Sequence, residues 1–297
     1  MTAALLLICS LLFSPAAGQD AGLTTGLTAG QAASAAETKN LGKVSAADED
    51  RQYAGLDSLL RQFWVSLEME DVDVKNGEMD FVIGTCRDSL ARQHVALAVF
   101  DHYRDSRVMG EEAVAIHVYD TWFATSKVSF QGELDAMDAE IFVKFNRNSQ
   151  IGMDAPEVKM YKSCGGTLEM PARGCTALLF FYDTRCAKCR LEAAVLPSVL
   201  KDVDFRMNLY AVYTGVDKKS WKEFRTGLRV KNPNVKVHHL WDPEMDSDYQ
   251  LQYGVYGTPR VLLVEPDGMI IGRRLEMESL AELLGVAGAI QKTREKL

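Results

Sequence analysis

Two thiols, Cys186 and Cys189, stand in the run Cys186-Ala187-Lys188-Cys189. A pair so spaced can close into a disulfide and reopen, can supply half of a zinc site, or can anchor haem when histidine follows. Arg190 follows here, which removes haem. Zinc needs two further ligands, and Cys164 and Cys175 are the candidates. The flanking pattern argues for redox use instead. Ala177–Tyr182 is an apolar run that reads as a buried strand, and Leu191–Leu200 is amphipathic and reads as a helix. The dithiol therefore sits at a strand-to-helix turn, not on a short zinc knuckle. A helix N-terminus favours the thiolate of Cys186, and Arg185, Lys188 and Arg190 add positive charge nearby. Cys186 is expected to be the nucleophile, and Cys189, one turn inside, the thiol that resolves a mixed disulfide.

The elements that must position this pair occupy the second half of a chain of 297 residues, a length that suggests two domains. Apolar residues make up 47% and charged residues 25%, as in an ordinary globular protein, and the net charge of −8 disfavours nucleic acid as a partner. Residues 1–18 read as a cleaved secretory signal: the apolar run Ala3–Phe13 precedes the small residues Ala16-Ala17-Gly18, although no Lys or Arg precedes it. Cys9 lies in a poor lipoprotein cleavage box, so lipidation is not expected. Residues 19–48, rich in Ala, Gly, Thr and Ser without aromatics, read as a flexible tether.

Residues 49–147 show helical periodicity, with Leu56, Leu59, Leu60, Phe63, Trp64 and Leu67 on one face. Later segments near 77–105, 111–126 and 132–145 continue it, the last with Leu134, Met137, Ile141, Phe142 and Phe145 as its apolar positions. A small all-α domain of four or five helices is expected. Residues 148–297 change character. Strands are expected at 157–161, 177–182, 206–213, 235–239, 260–265 and 269–274, and helices at 191–201, 219–226, 247–252 and 279–296. Glu265-Pro266-Asp267-Gly268 reads as the turn of an antiparallel hairpin. The alternation predicts a mixed α/β sheet flanked by helices.

Three motifs in this half carry a resemblance. Gly152-Met153-Asp154-Ala155-Pro156, Cys186 to Glu192 as C-x-x-C-x-x-E, and Tyr253-Gly254-Val255-Tyr256-Gly257-Thr258-Pro259 resemble the extracytoplasmic TlpA/ResA-like branch of the thioredoxin-like thiol–disulfide oxidoreductases. The helical half, with Gln62-Phe63-Trp64, resembles an uncharacterised helical domain fused to such modules in envelope proteins. The resemblance implies a thioredoxin-like fold in which Pro259 is cis and faces the dithiol. It implies that the backbone of Thr258 pairs with substrate and that Glu192 lies under the dithiol and handles its protons. It further implies protein thiols and disulfides as substrates, an electron donor in the membrane or envelope, a periplasmic or envelope location and no cofactor. Three positions depart from thioredoxin itself: Arg185 replaces a tryptophan, Phe180 a buried aspartate, and Ala194 a helix-kinking proline, with Pro197 three residues later.

Other readings stay open at this point. A peroxiredoxin needs P-x-x-x-T-x-x-C, but Asp183 and Leu179 occupy the Thr and Pro positions. A non-catalytic envelope binding module would use the helical domain for recognition and the Cys186–Cys189 pair as a structural disulfide. Cys164 and Cys175 could close a disulfide across Gly165–Gly174, or be two buried small residues. Export would leave five cysteines, so an unpaired thiol is expected, and Cys86 on an apolar helix face reads as a packed free one.

Overall fold

The computed structural model describes residues 46–294. The signal reading, Cys9 and the tether up to residue 45 lie outside the described residues. The chain divides into two compact units, one running to Ala98 and one from Val99 onward.

The first unit is helical. It holds α1 (Ala46–Ser66), α2 (Val72–Thr85) and the first part of α3 (Ser89–Arg104). Leu60, Phe63 and Leu67 of α1 are buried, as the stripe predicts, with Met79, Val82 and Ile83 of α2. His94 of α3 stacks on Tyr53 and bonds Asp57 at 2.6 Å, which ties α3 to α1. Cys86 is a buried free thiol whose Sγ–H points at the Val82 carbonyl, and burial pushes its pKa up.

The second unit begins with the rest of α3, followed by α4 (Glu112–Val118), a π-turn (Tyr119–Phe123) and α5 (Glu133–Asn146). Phe100 sits among the rings of Tyr119, Phe123, Phe130 and Phe142. The strands follow: β1 (Val158–Lys162), β2 (Thr167–Met170), β3 (Thr176–Tyr182), β4 (Met207–Tyr213), β5 (Val235–Trp241), β6 (Arg260–Val264) and β7 (Ile270–Arg273). Between them lie α6 (Ala187–Val199), α7 (Lys218–Gly227) and the short α8 (Tyr249–Gln252), and α9 (Met277–Arg294) ends the described chain. One sheet takes the order β2-β1-β5-β4-β3-β6-β7. Its parallel centre is β3, β4 and β5, and every other pairing is antiparallel, the expected β6–β7 hairpin included.

All seven residues of β3 are buried, because helices and loops cover both faces of a central strand. Its alternation assigns the two cores. Leu178, Phe180 and Tyr182 pack with residues of α6, α7 and α9 on one face. Leu179 and Phe181 pack on the other, with Tyr249 and Tyr253. The Gly152–Pro156 motif has a structural reason. Asp154 bridges Met269, the Ala155 amide donates to the Gly268 carbonyl at 2.8 Å, and the Tyr253 hydroxyl donates to the Pro156 carbonyl. This clamps the start of the α/β fold to the segment that leads into Pro259.

Strand β2 was not expected. It is four residues long with one buried position, too short for a period-2 signal to register. The Met170–Pro171 peptide at its end is cis, which the sequence did not signal. Among the described residues, no helix is long and apolar enough to cross a membrane.

Candidate active site

Strand β3 delivers the chain to a tight turn. Asp183 Oδ1 accepts the Arg185 amide at 2.7 Å, and the Cys186 amide donates to the Asp183 carbonyl at 3.2 Å. This side-chain-closed turn lets the chain leave a buried strand and start α6 within four residues. Cys186 is then the N-cap of α6, with extended backbone, and its sulfur accepts the Cys189 amide at 3.1 Å. A thiolate there meets a free helical N–H and the positive end of the dipole.

Opposite stands the loop before β6. The Thr258–Pro259 peptide is cis, and Cys186 Sγ lies 3.4 Å from the Thr258 carbonyl oxygen. The structure thus brings Cys186, Cys189, Thr258 and Pro259 together. Pairing of β3 with β6, Phe181 against Arg260, causes this proximity, because Pro259 and the Cys186 turn leave the same end of two adjacent strands.

The two sulfurs differ sharply. Cys186 is partly exposed and Cys189 is buried. Burial raises the Cys186 pKa, but hydrogen bonds from the Cys189 side chain and amide, Thr258 and the Lys188 amide outweigh it and hold the thiol below its ordinary value. Cys189 is pushed up to about 12, first by burial and then by its hydrogen bond to Cys186. The surroundings favour the thiolate at one sulfur and the thiol at the other, the asymmetry that attack followed by resolution requires. In the reduced protein, iodoacetamide should modify Cys186 with a midpoint below that of an ordinary cysteine, while Cys189 stays unmodified until the pH nears 12. Peptide mapping across a pH series checks this, and labelling of Cys189 ahead of Cys186 would refute it.

Glu192 lies on α6 one turn beyond Cys189 and is buried. Burial raises its pKa, Lys188 opposes and Glu276 adds to the rise, and the net direction is up. Lys188 Nζ stands between two carboxylates, 3.0 Å from Glu276 and 3.7 Å from Glu192. Glu276, just before α9, was not singled out in the sequence. It lies 88 positions from Lys188, and only the packing of α9 on α6 brings them together. Phe180, where thioredoxin has an acid, is fully buried and stacks on Tyr182.

The candidate Cys164–Cys175 disulfide needs correction. Both thiols are free. Cys164 lies in the β1–β2 turn and Cys175 just before β3, with β5 and β4 between those strands. At about 4.8 Å per strand the gap is about 14 Å, twice the reach of a disulfide. Cys175 donates to the Arg206 carbonyl instead. The four-cysteine zinc set fails similarly, since Cys175 precedes the seven-residue β3 and Cys186 follows it. No group of three or more His, Cys, Asp or Glu among the described residues could hold a metal ion. A groove of about 560 Å³ between α6 and α7, bordered by Arg185, Arg190 and Phe224, includes neither Cys186 nor Cys189 in its lining.

No protein-family model and no curated protein matches the chain. Solved structures do. A thioredoxin-like protein from Bacteroides caccae superposes with a TM-score of 0.62 at 11% identity, covering 82% of this chain and 88% of that one. The thioredoxin domain of a thiol-disulfide oxidoreductase from Bacteroides vulgatus matches at 21% identity over 46% of this chain and 95% of that one, with a TM-score of 0.39. The sheet order, the dithiol that opens α6, the cis-proline facing it and the first of these likenesses together establish that this chain has a thioredoxin-like fold.

Proposed function

We propose that the protein is an exported thiol–disulfide oxidoreductase that exchanges disulfides with protein substrates in the periplasm or cell envelope. The observation that carries this reading is the contact of Cys186 Sγ, at the start of α6, with the Thr258 carbonyl that precedes cis-Pro259. A substrate strand reaching the Thr258 backbone would set its own sulfur beside Cys186.

In the reducing direction the Cys186 thiolate attacks one sulfur of a substrate disulfide. A mixed disulfide forms, and the other substrate sulfur leaves as thiolate and takes up a proton. Cys189 then loses its proton and attacks Cys186 Sγ. The Cys186–Cys189 disulfide forms and the second substrate thiol departs, so two electrons pass from the dithiol to the client. Glu192 is the group we assign to accept the Cys189 proton. Its raised pKa suits that task, and its Oε2 is buried without a protein hydrogen-bond partner among the described residues. Run backwards, the same steps oxidise a client. A thiol donor or acceptor in the membrane or envelope resets the pair.

Titration of the Cys186–Cys189 couple against a thiol redox buffer tests the reading. A redox-active pair should equilibrate above about −300 mV, the region below which structural disulfides typically lie. A couple that stays oxidised below that potential would point to a binding module in which the bond is only a staple.

A further inference from the structure

Helix α5 carries two apolar faces. One holds Ala139, Val143 and the half-buried Phe142, and it faces the interior. The other holds Leu134, Met137 and Ile141, which are 77%, 56% and 37% exposed. At 100° per residue these three fall within one narrow stripe, and Phe145 extends it by another turn. The sequence reads all of them as one core-facing pattern, whereas the structure turns the stripe to solvent. A row of large exposed apolar side chains on an ordered helix marks an interaction surface.

The stripe does not end in open solvent. Phe145 packs edge-on against Tyr256, with ring centroids 5.6 Å apart, and Tyr256 is itself 75% exposed. Tyr256 stands two residues before Thr258, whose carbonyl touches Cys186 Sγ. An apolar track thus runs from Leu134 along about 16 Å of helix to the loop that faces the dithiol. Its borders carry exposed Glu133, Asp138 and Glu140 with Lys144, while the two arginines close by, Arg104 and Arg147, are paired with Asp101 and Asp105 and with Asp120, so the border stays acidic.

We infer that this track binds the client polypeptide next to its reacting cysteine, and that it selects apolar segments bearing Lys or Arg. This rests on the oxidoreductase reading above and specifies its substrate class. Continuity with the loop facing Cys186 supplies the occupant: a chain whose sulfur is at Cys186 passes Tyr256 and meets Phe145 next. The acidic border supplies the charge preference. Such segments are buried in folded proteins, so the surface favours clients that are still unfolded.

The test compares the full chain with a variant combining Leu134→Gln, Met137→Gln and Ile141→Gln. All three positions are exposed, and glutamine is a good helix former, so the fold should persist. Each protein, reduced, is mixed with three probes. One is a small aromatic disulfide. The other two are cysteine peptides capped as mixed disulfides, with eight-residue tails either apolar and basic or polar and neutral, placed on each side of the cysteine in turn. The parent should react about tenfold faster with the apolar-basic tail than with the polar one, on one side of the cysteine, and the variant should lose that preference. Both should react equally fast with the small disulfide. Equal rates with the two tails in the parent, or an unchanged preference in the variant, overturn the inference while leaving the exchange reaction intact. So does sedimentation that finds the parent dimeric and the variant monomeric, because a second copy would then be the occupant. No reaction of either protein with the small disulfide overturns the oxidoreductase reading itself, and the client track with it.

Discussion

Replacing Cys186 by serine should lower the rate of disulfide exchange on the order of 10³-fold or more, because an alcohol supplies no thiolate near neutral pH. Replacing Cys189 by serine should act quite differently. The attack by Cys186 survives, since that sulfur keeps the helix N-terminus and the Cys189 backbone amide at 3.1 Å. The serine hydroxyl replaces the Cys189 thiol as a side-chain donor, so the Cys186 pKa should stay below its ordinary value. What fails is resolution. Mixed disulfides with clients should accumulate on Cys186, visible as reducible high-mass species in a non-reducing gel of an extract, while the double variant shows none. The asymmetry is the point of the comparison. Two equivalent surface thiols would give matching phenotypes. Equal loss in the two single variants, or trapping on Cys189 in the Cys186→Ser variant, would contradict the division of labour between the exposed and the buried sulfur.

The dithiol turn of this site was legible in the sequence because it is written locally. The dithiol, the strand before it and the helix after it lie within twenty-five residues, and each announces itself by period or type. Thr258 and Pro259 lie more than seventy residues away and were reached through resemblance. Their physical warrant is the β3–β6 pairing, which no local pattern states. Where meaning is carried by packing alone, the sequence was silent or misleading. Leu134, Met137 and Ile141 share helical spacing with true core residues, and periodicity cannot say which of two apolar faces a helix buries. Cys164 and Cys175 flank a glycine-rich loop and look like bridge partners, but the sheet inserts two strands between them. Lys188 reads as generic positive charge, although its contacts are with Glu276 and Glu192.

The second large effect concerns a buried charge cluster that no motif announces. Arg273 of β7 has a fully buried side chain, and that of Glu112 is 4% exposed. Arg273 Nη1 donates to Glu112 Oε1, and its Nη2 donates to Asn146 Oδ1 at 2.8 Å. Arg274 reaches the same Asn146 oxygen at 3.1 Å. These bonds join β7 to α4 and to the end of α5. Gly254 lies against the cluster with φ +62°, and a Cβ there would come within 2.6 Å of Arg273 Nη2 and 2.5 Å of the Phe145 carbonyl. The turn leading to cis-Pro259 is therefore built around this guanidinium. Arg260, the residue after that proline, is half-buried, and desolvation together with Arg273 and Arg274 holds its pKa down to about 9. Glu112 is the carboxylate that faces these cations.

Glu112→Gln should consequently cost about 3–5 kcal/mol, because it leaves guanidinium charge buried without a counter-charge. In thermal unfolding that is a fall of about 10 °C for a unit of this size. The pH dependence gives an independent check. Burial works to raise the Glu112 pKa, but Arg273 and Arg274 outweigh it and the net direction is down. A carboxyl held low in the folded state adds stability that is fully present above its unfolded pKa, near 4.3, and is lost as pH falls through the folded value. The glutamine variant should therefore be weaker than the parent at neutral pH and converge on it in acid. Removing the partner as well, with Glu112→Leu and Arg273→Met together, should recover part of the loss, since a buried pair contributes less than the cost of breaking it. Melting temperatures of the parent, the single and the double variant between pH 3 and 8 decide the matter. A Glu112→Gln protein that melts with the parent at pH 7 would show that the cluster does not hold the segment before cis-Pro259 in place.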